Sequence, residues 1–167
     1  MQGAVAINTL LRRPQDADAA RQFCVARQSE ALEDDAVTAA AYYRQQAQTT
    51  PAPFWLARAA GEAVSPEVRS DFPAPTQPLA LALSAAIVQE PVAEGAFITR
   101  RPALRHPGLR RPMAFVRNVP VSALIPQGEA AQSAQDMMRR WLVHLTERDV
   151  GALLAMFWRR GILVPAR

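Results

Sequence analysis

EAAQSAQDMMRRWLVHLTERDVGALLAMFWRRGILV, residues 129–164, is the stretch whose reading decides the fold. Ala130, Ala134, Met137, Met138, Trp141, Leu142 and Leu145 recur at helical spacing and predict one amphipathic helix. Val150, Leu153, Leu154, Phe157 and Trp158 repeat the pattern and predict a second. Between them, Thr146-Glu147-Arg148-Asp149 is a helix-start signature: the threonine hydroxyl can cap, and the acids complement the positive end of the helix dipole. Gly161 is a helix-ending residue, and Ile162-Leu163-Val164 then reads as a short strand. Two of the chain's three tryptophans fall in this helix-helix-strand unit, which is expected to anchor the core.

Working outward, prolines at 91, 102, 107, 112, 120 and 126 forbid a long helix between 91 and 126. That segment is expected to be irregular, with candidate strands at 113–116 and 121–125. Upstream the pattern is helical. Residues 4–12 predict a first helix ended by Pro14, and Asp16 opens a second. The acidic group Glu30, Glu33, Asp34 and Asp35 reads as a solvated loop or as the start of a helix over 35–48. Pro53 opens another helix to Glu62, and Ser65-Pro66-Glu67 starts a helical turn near Val68. Pro73, Pro75 and Pro78 make 71–78 an extended connector, and Pro78 then opens a helix to about Glu90. The expected fold is mainly α, about six helices with a small β element near 113–116, 121–125 and 162–164. With 167 residues it fits one domain, with an N-terminal helical part over 1–72 and a C-terminal part over 76–167.

Charge is unevenly distributed. Residues 1–94 hold 7 arginines against 11 acids, and residues 95–167 hold 12 against 4, so a net of +4 conceals halves of −4 and +8. Every one of the 19 cationic side chains is arginine. A GC-rich bacterial coding bias accounts for that, while the guanidinium also pairs with carboxylates and phosphates in bidentate fashion. The basic side chains concentrate in Arg100, Arg101, Arg105, Arg110, Arg111 and Arg117, with His106 among them and no acid in the segment. These seven residues form the expected partner-binding surface. The anions that could neutralise it from within are the 30–35 group, Glu90 and Glu94. Only Phe97 and Phe115 are aromatic nearby, too few for stacking on single-stranded nucleic acid.

Signals for catalysis are missing. Cys24 is the only cysteine, which excludes an internal disulfide and a cysteine-rich metal site. His106 and His144 lie in no nucleophile motif. No glycine-rich phosphate loop and no paired-histidine metal spacing occurs. No catalytic residue, metal ligand or cofactor is therefore expected. The N-terminus does not follow the charged-then-apolar order of a signal peptide, and no apolar run reaches membrane-span length. The chain is accordingly expected to be cytoplasmic. The reading that follows is a non-enzymatic accessory or adaptor protein, chaperone-like or a subunit of a bacterial assembly, that binds a protein through its basic half. Two alternatives stand beside it. Helix, glycine and short strand at the C-terminus resemble the last helix and first wing strand of winged-helix domains, which implies a nucleic-acid-binding regulator. The other is an enzyme whose site a single sequence does not display.

Overall fold

The computed structural model describes residues 2–59, 71–125 and 131–166. It is mainly α with a small β part, as the sequence implies, with six α-helices among the described residues. The chain divides into two compact units, Met1–Ser65 with Ala93–Thr99, and Pro66–Val92 with Arg100–Arg167.

The first unit is built on α1 (Gln2–Arg12), a 3-10 turn at Pro14–Asp16, α2 (Ala17–Thr49) and α3 (Pro53–Ala59). Helix α2 runs for 33 residues through the acidic group that the sequence left between a loop and a helix start. No proline or glycine occurs between Ala17 and Thr49, so nothing in the backbone interrupts it. Its core is small: Ala6, Ala19, Ala20, Phe23 and Ile98 are buried together, with Val5 and Cys24 packed against them. Cys24 is thus a half-buried hydrophobe, as expected of it. Two polar ties fix α1 on the segment 93–99. The Thr9 hydroxyl accepts from the Ile98 N–H at 2.8 Å, and Asn8 Nδ2 donates to the Ala96 carbonyl at 2.8 Å.

The second unit contains strands the sequence reading did not place. Where a helix was expected over 78–90, the chain forms β1 (Pro78–Leu81), a turn, and β2 (Ala86–Glu94). Leu79, Leu81 and Leu83 also fit a period of two, and Ile87, Val88 and Val92 are β-branched residues that favour the extended backbone. Leu79 is buried in the core, whereas Leu83, at the turn, is fully exposed. Strand β2 pairs with β3 (Phe97–Arg105) across a tight turn in which Gly95, at φ +58°, adopts a left-handed conformation without steric cost. Strands β4 (Phe115–Val116) and β5 (Val119–Pro120) form a second small hairpin, and Met113 bridges to Leu104.

The expected strand at 121–125 is instead a single helical turn, α4 (Val121–Leu124), which buries Val121 and Leu124. Strand β6 (Gln132–Ser133), α5 (Ala134–Leu142), α6 (Glu147–Arg159) and β7 (Leu163–Pro165) complete the unit. Strand β1 lies between β6 and β7, antiparallel to both. Turns expected near Val68, and the ends of stretches reaching Glu62, Pro126 and Ala130, lie outside the described residues.

The terminal pair anchors this unit. All five apolar positions assigned to the second helix are buried, and in α5 Ala134, Met137 and Trp141 are buried, as is Leu145 beyond its end. Leu142 is the exception and is exposed. Trp141 and Phe157 meet edge to face, with centroids 5.9 Å apart and planes at 87°. The indole N–H donates to the Leu124 carbonyl at 2.6 Å, which satisfies the polar atom of a buried side chain. Both helix starts are capped: Ser133 accepts from the Asp136 N–H, and Thr146 from the Asp149 N–H. Gly161, at φ +68°, ends α6 and turns the chain into β7.

Candidate functional site

The arginine-rich segment does not fold into one surface element. Arg100, Arg101 and Arg105 lie on β3, His106, Arg110 and Arg111 on the loop that follows, and Arg117 at the β4–β5 turn. All six arginines are exposed. Arg117 takes a φ of +56°, a strained conformation for a residue with a Cβ.

Carboxylates of the same unit hold Arg105 and Arg117. Arg105 pairs with Glu90 of β2. Arg117 places both Nε and an Nη on Asp149 Oδ1, at 3.1 and 2.9 Å. Arg100, Arg101, Arg110 and Arg111 also make interactions within the protein. Of the internal anions expected from sequence, Glu90 is one. Asp149 was missed because it had been read only as a dipole-complementing residue at the start of α6. Its carboxyl is held below the usual carboxylate range, first by the Thr146 hydroxyl and then by Arg117.

His106 behaves as a structural residue. It is buried, and its Nδ1 accepts the Gly108 N–H at 2.9 Å. An accepting Nδ1 leaves the proton of the neutral ring on Nε2. Burial pushes its pKa below the ordinary histidine value. The same loop is clamped to the end of α6, where Arg160 donates to the Gly108 carbonyl at 2.8 Å. Gly108 is needed there, since a Cβ would sit 2.5 Å from the Arg160 carbonyl oxygen.

A concave feature of this unit was not foreseen. A groove of about 770 Å³ runs along β1 and β7, lined by Ala80, Leu81, Leu83 and Ser84 with Val164 and Ala166. Ala80 is paired with Val164 across the ladder, so small side chains pave the floor. Reading 78–90 as a helix hid it, although the alternation of leucines at 79, 81 and 83 was the available signal. Among the described residues no group of three histidine, cysteine or acidic side chains is placed to hold a metal ion.

No family model and no curated protein sequence matches the chain. A solved structure does. The fold is similar to that of the peptidyl tryptophan dihydroxylase QhpG, essential for tryptophylquinone cofactor biogenesis, with a TM-score of 0.65 and 19% sequence identity. The match covers 96% of this chain and 34% of that one, so the chain spans about a third of the enzyme's length. At that identity the likeness is one of fold. It overturns the expectation of a non-enzymatic adaptor, because this arrangement of elements is built into the chain of an enzyme. Among the described residues no helix is long and apolar enough to cross a membrane.

Proposed function

We propose that this chain is part of an enzyme that modifies a side chain of a polypeptide, and that it supplies a substrate-contacting portion of that enzyme. The observation that carries the reading is the fold likeness over 96% of the chain to an enzyme whose named substrate is a peptidyl tryptophan. The groove along β1 and β7 is the reading's side-chain pocket: it is apolar, open to solvent, and large enough for an indole. The exposed arginines Arg100, Arg101, Arg110 and Arg111 are assigned to the carboxylates of the polypeptide around that side chain, while Arg105 and Arg117, held by Glu90 and Asp149, and the buried His106 shape the segment that carries them.

The test is a mass-spectrometric assay on a synthetic peptide with one tryptophan flanked by aspartates. The tagged protein is expressed in its native host, and the clarified extract supplies whatever small molecules the reaction consumes. The expected result is a mass change on the tryptophan that depends on the tagged protein and is reduced at least tenfold by Leu83→Asp, which puts a charge at the mouth of the groove. A peptide left unmodified in extracts of the unaltered protein would remove the reading.

A further inference from the structure

Helix α2 is packed at its two ends, on the buried core at its start and against α3 near its end, where Tyr42 and Tyr43 meet Trp55, and is bare between them. Its buried residues are Ala19, Ala20 and Phe23, all within its first two turns. From Ala31 to Thr38 every residue is exposed. Helical segments gain most of their stability from a packed apolar face, and short unsupported ones are marginal in water.

A seam runs through and beyond this stretch, exposed from Val25 to Ala36 and half-buried at Ala39. Val25, Ser29, Leu32, Ala36 and Ala39 follow one another at alternating spacings of four and three, the repeat that keeps one stripe facing a partner helix. Val25 is 62% exposed and Leu32 70% exposed, large apolar side chains with water over them. Glu33 and Asp35 border the stripe on opposite sides, in the flanking positions that choose the partner of a helix pair. No arginine occurs between Arg27 and Arg44, and Arg27 is engaged with Glu30 at 2.7 Å.

We propose that this stripe of α2 is a docking seam for an amphipathic helix of a partner polypeptide whose apolar stripe is flanked by arginine or lysine. Charge selects that occupant. A second copy of the same stripe, laid antiparallel, would set carboxylates against carboxylates on both flanks, and like charges there are unfavourable. A basic-flanked helix pairs with Glu33 and Asp35 while covering Val25 and Leu32. Ser29, Ala36 and Ala39 are small and let the two backbones approach. The seam is about two heptads, roughly 20 Å long at 1.5 Å per residue. This inference does not depend on the enzymatic reading.

The experiment titrates the ¹⁵N-labelled protein with a synthetic peptide of about three heptads, leucine at the seam positions and lysine at the flanks. A second peptide carries glutamate at the flanks, and a third has the first one's composition in scrambled order. The expected result is saturable amide shifts confined to residues 22–40, with a dissociation constant in the tens of micromolar for the lysine peptide only. The double change Glu33→Lys with Asp35→Lys should weaken it about tenfold or more, and Leu32→Gln, which preserves helix propensity, should do the same with the helix signal in circular dichroism unchanged. Absence of saturable shifts, shifts elsewhere, or equal binding of the glutamate or scrambled peptide would overturn the proposal. Sedimentation of the free protein as a dimer that Leu32→Gln dissociates would overturn it too, by giving the seam to a second copy.

Discussion

Helices α2 and α6 are made from similar materials and are used in opposite ways. Helix α6 has 13 residues and buries Val150, Leu153, Leu154, Phe157 and Trp158. Helix α2 has 33 residues and buries three, two of them alanines. Backbone propensity alone therefore does not distinguish an element that holds a unit together from one that extends beyond it. What distinguishes them is the concentration of large side chains on one face. In α6 the apolar residues return at three and four with no charge among them, and Trp141 from α5 closes the cluster. In α2 alanine supplies most of the apolar positions, and its methyl groups add little buried area to the protein's own core.

The largest expected effect tests that contrast directly. Trp141→Ala removes the edge-to-face contact with Phe157 and the bond to the Leu124 carbonyl, and should cost about 3–5 kcal/mol. Leu32→Ala in α2 should stay within about 0.5 kcal/mol, as exposed substitutions do. Urea unfolding followed by circular dichroism measures both. Equal losses at the two positions would show that α2 is packed in the free protein.

The same contrast explains how much of the molecule was legible in the sequence. The terminal helices were readable because bulky residues sit at helical spacing between two capping signals and a glycine. Residues 78–90 were misread because Leu79, Leu81, Leu83 and Ile87 match two periods at once, and only the pairing partners, β7 and β3, decide between them. Those partners are remote in sequence. The candidate groove was lost with that strand. Arginine clustering was visible, but the anion that Arg117 meets, Asp149, lies 32 residues away beyond α4 and α5, a proximity no local pattern encodes.

A smaller effect probes the loop where the basic segment is tied down. Gly108→Ala brings a Cβ against the Arg160 carbonyl oxygen and toward His106 Nδ1, and should cost about 1–3 kcal/mol through forced displacement. An unchanged melting temperature would show that the loop is not clamped to α6.

His106 gives a pH signature to the same clamp. Its folded pKa is lowered by burial, so the neutral ring is the form the fold accepts. Its contribution is fully present above the unfolded value of about 6.5 and is lost as pH falls from there through the folded pKa, where the unfolded chain binds the proton more readily. Stability measured between pH 8 and pH 5 should decline over that window in the unaltered protein and less in His106→Gln. A stability that rises on acidification in that window would contradict a buried neutral ring.

The smallest effect lies at Asp149, and it separates two causes that act on one carboxyl. The Thr146 hydroxyl donates to Oδ2 at 2.8 Å, while Arg117 reaches Oδ1 from an exposed turn where solvent screens the charge. Both lower the pKa: the hydroxyl bond is the largest single cause, and Arg117 acts through its hydrogen bonds and its charge together. A depressed carboxylate pKa adds stability above the ordinary aspartate value of 3.8, and that stability is lost as pH falls through the folded pKa. Carboxyl ¹³C titration should therefore show the Asp149 midpoint rising in both Thr146→Val and Arg117→Ala, and further in the first. Neutral-pH stability should respond in the same order, because Thr146→Val also removes the cap from the Asp149 N–H at the start of α6. If Arg117→Ala moved the midpoint more, the ion pair rather than the cap would dominate, and Arg117 would have to be counted with the buried machinery of the C-terminal unit instead of its surface.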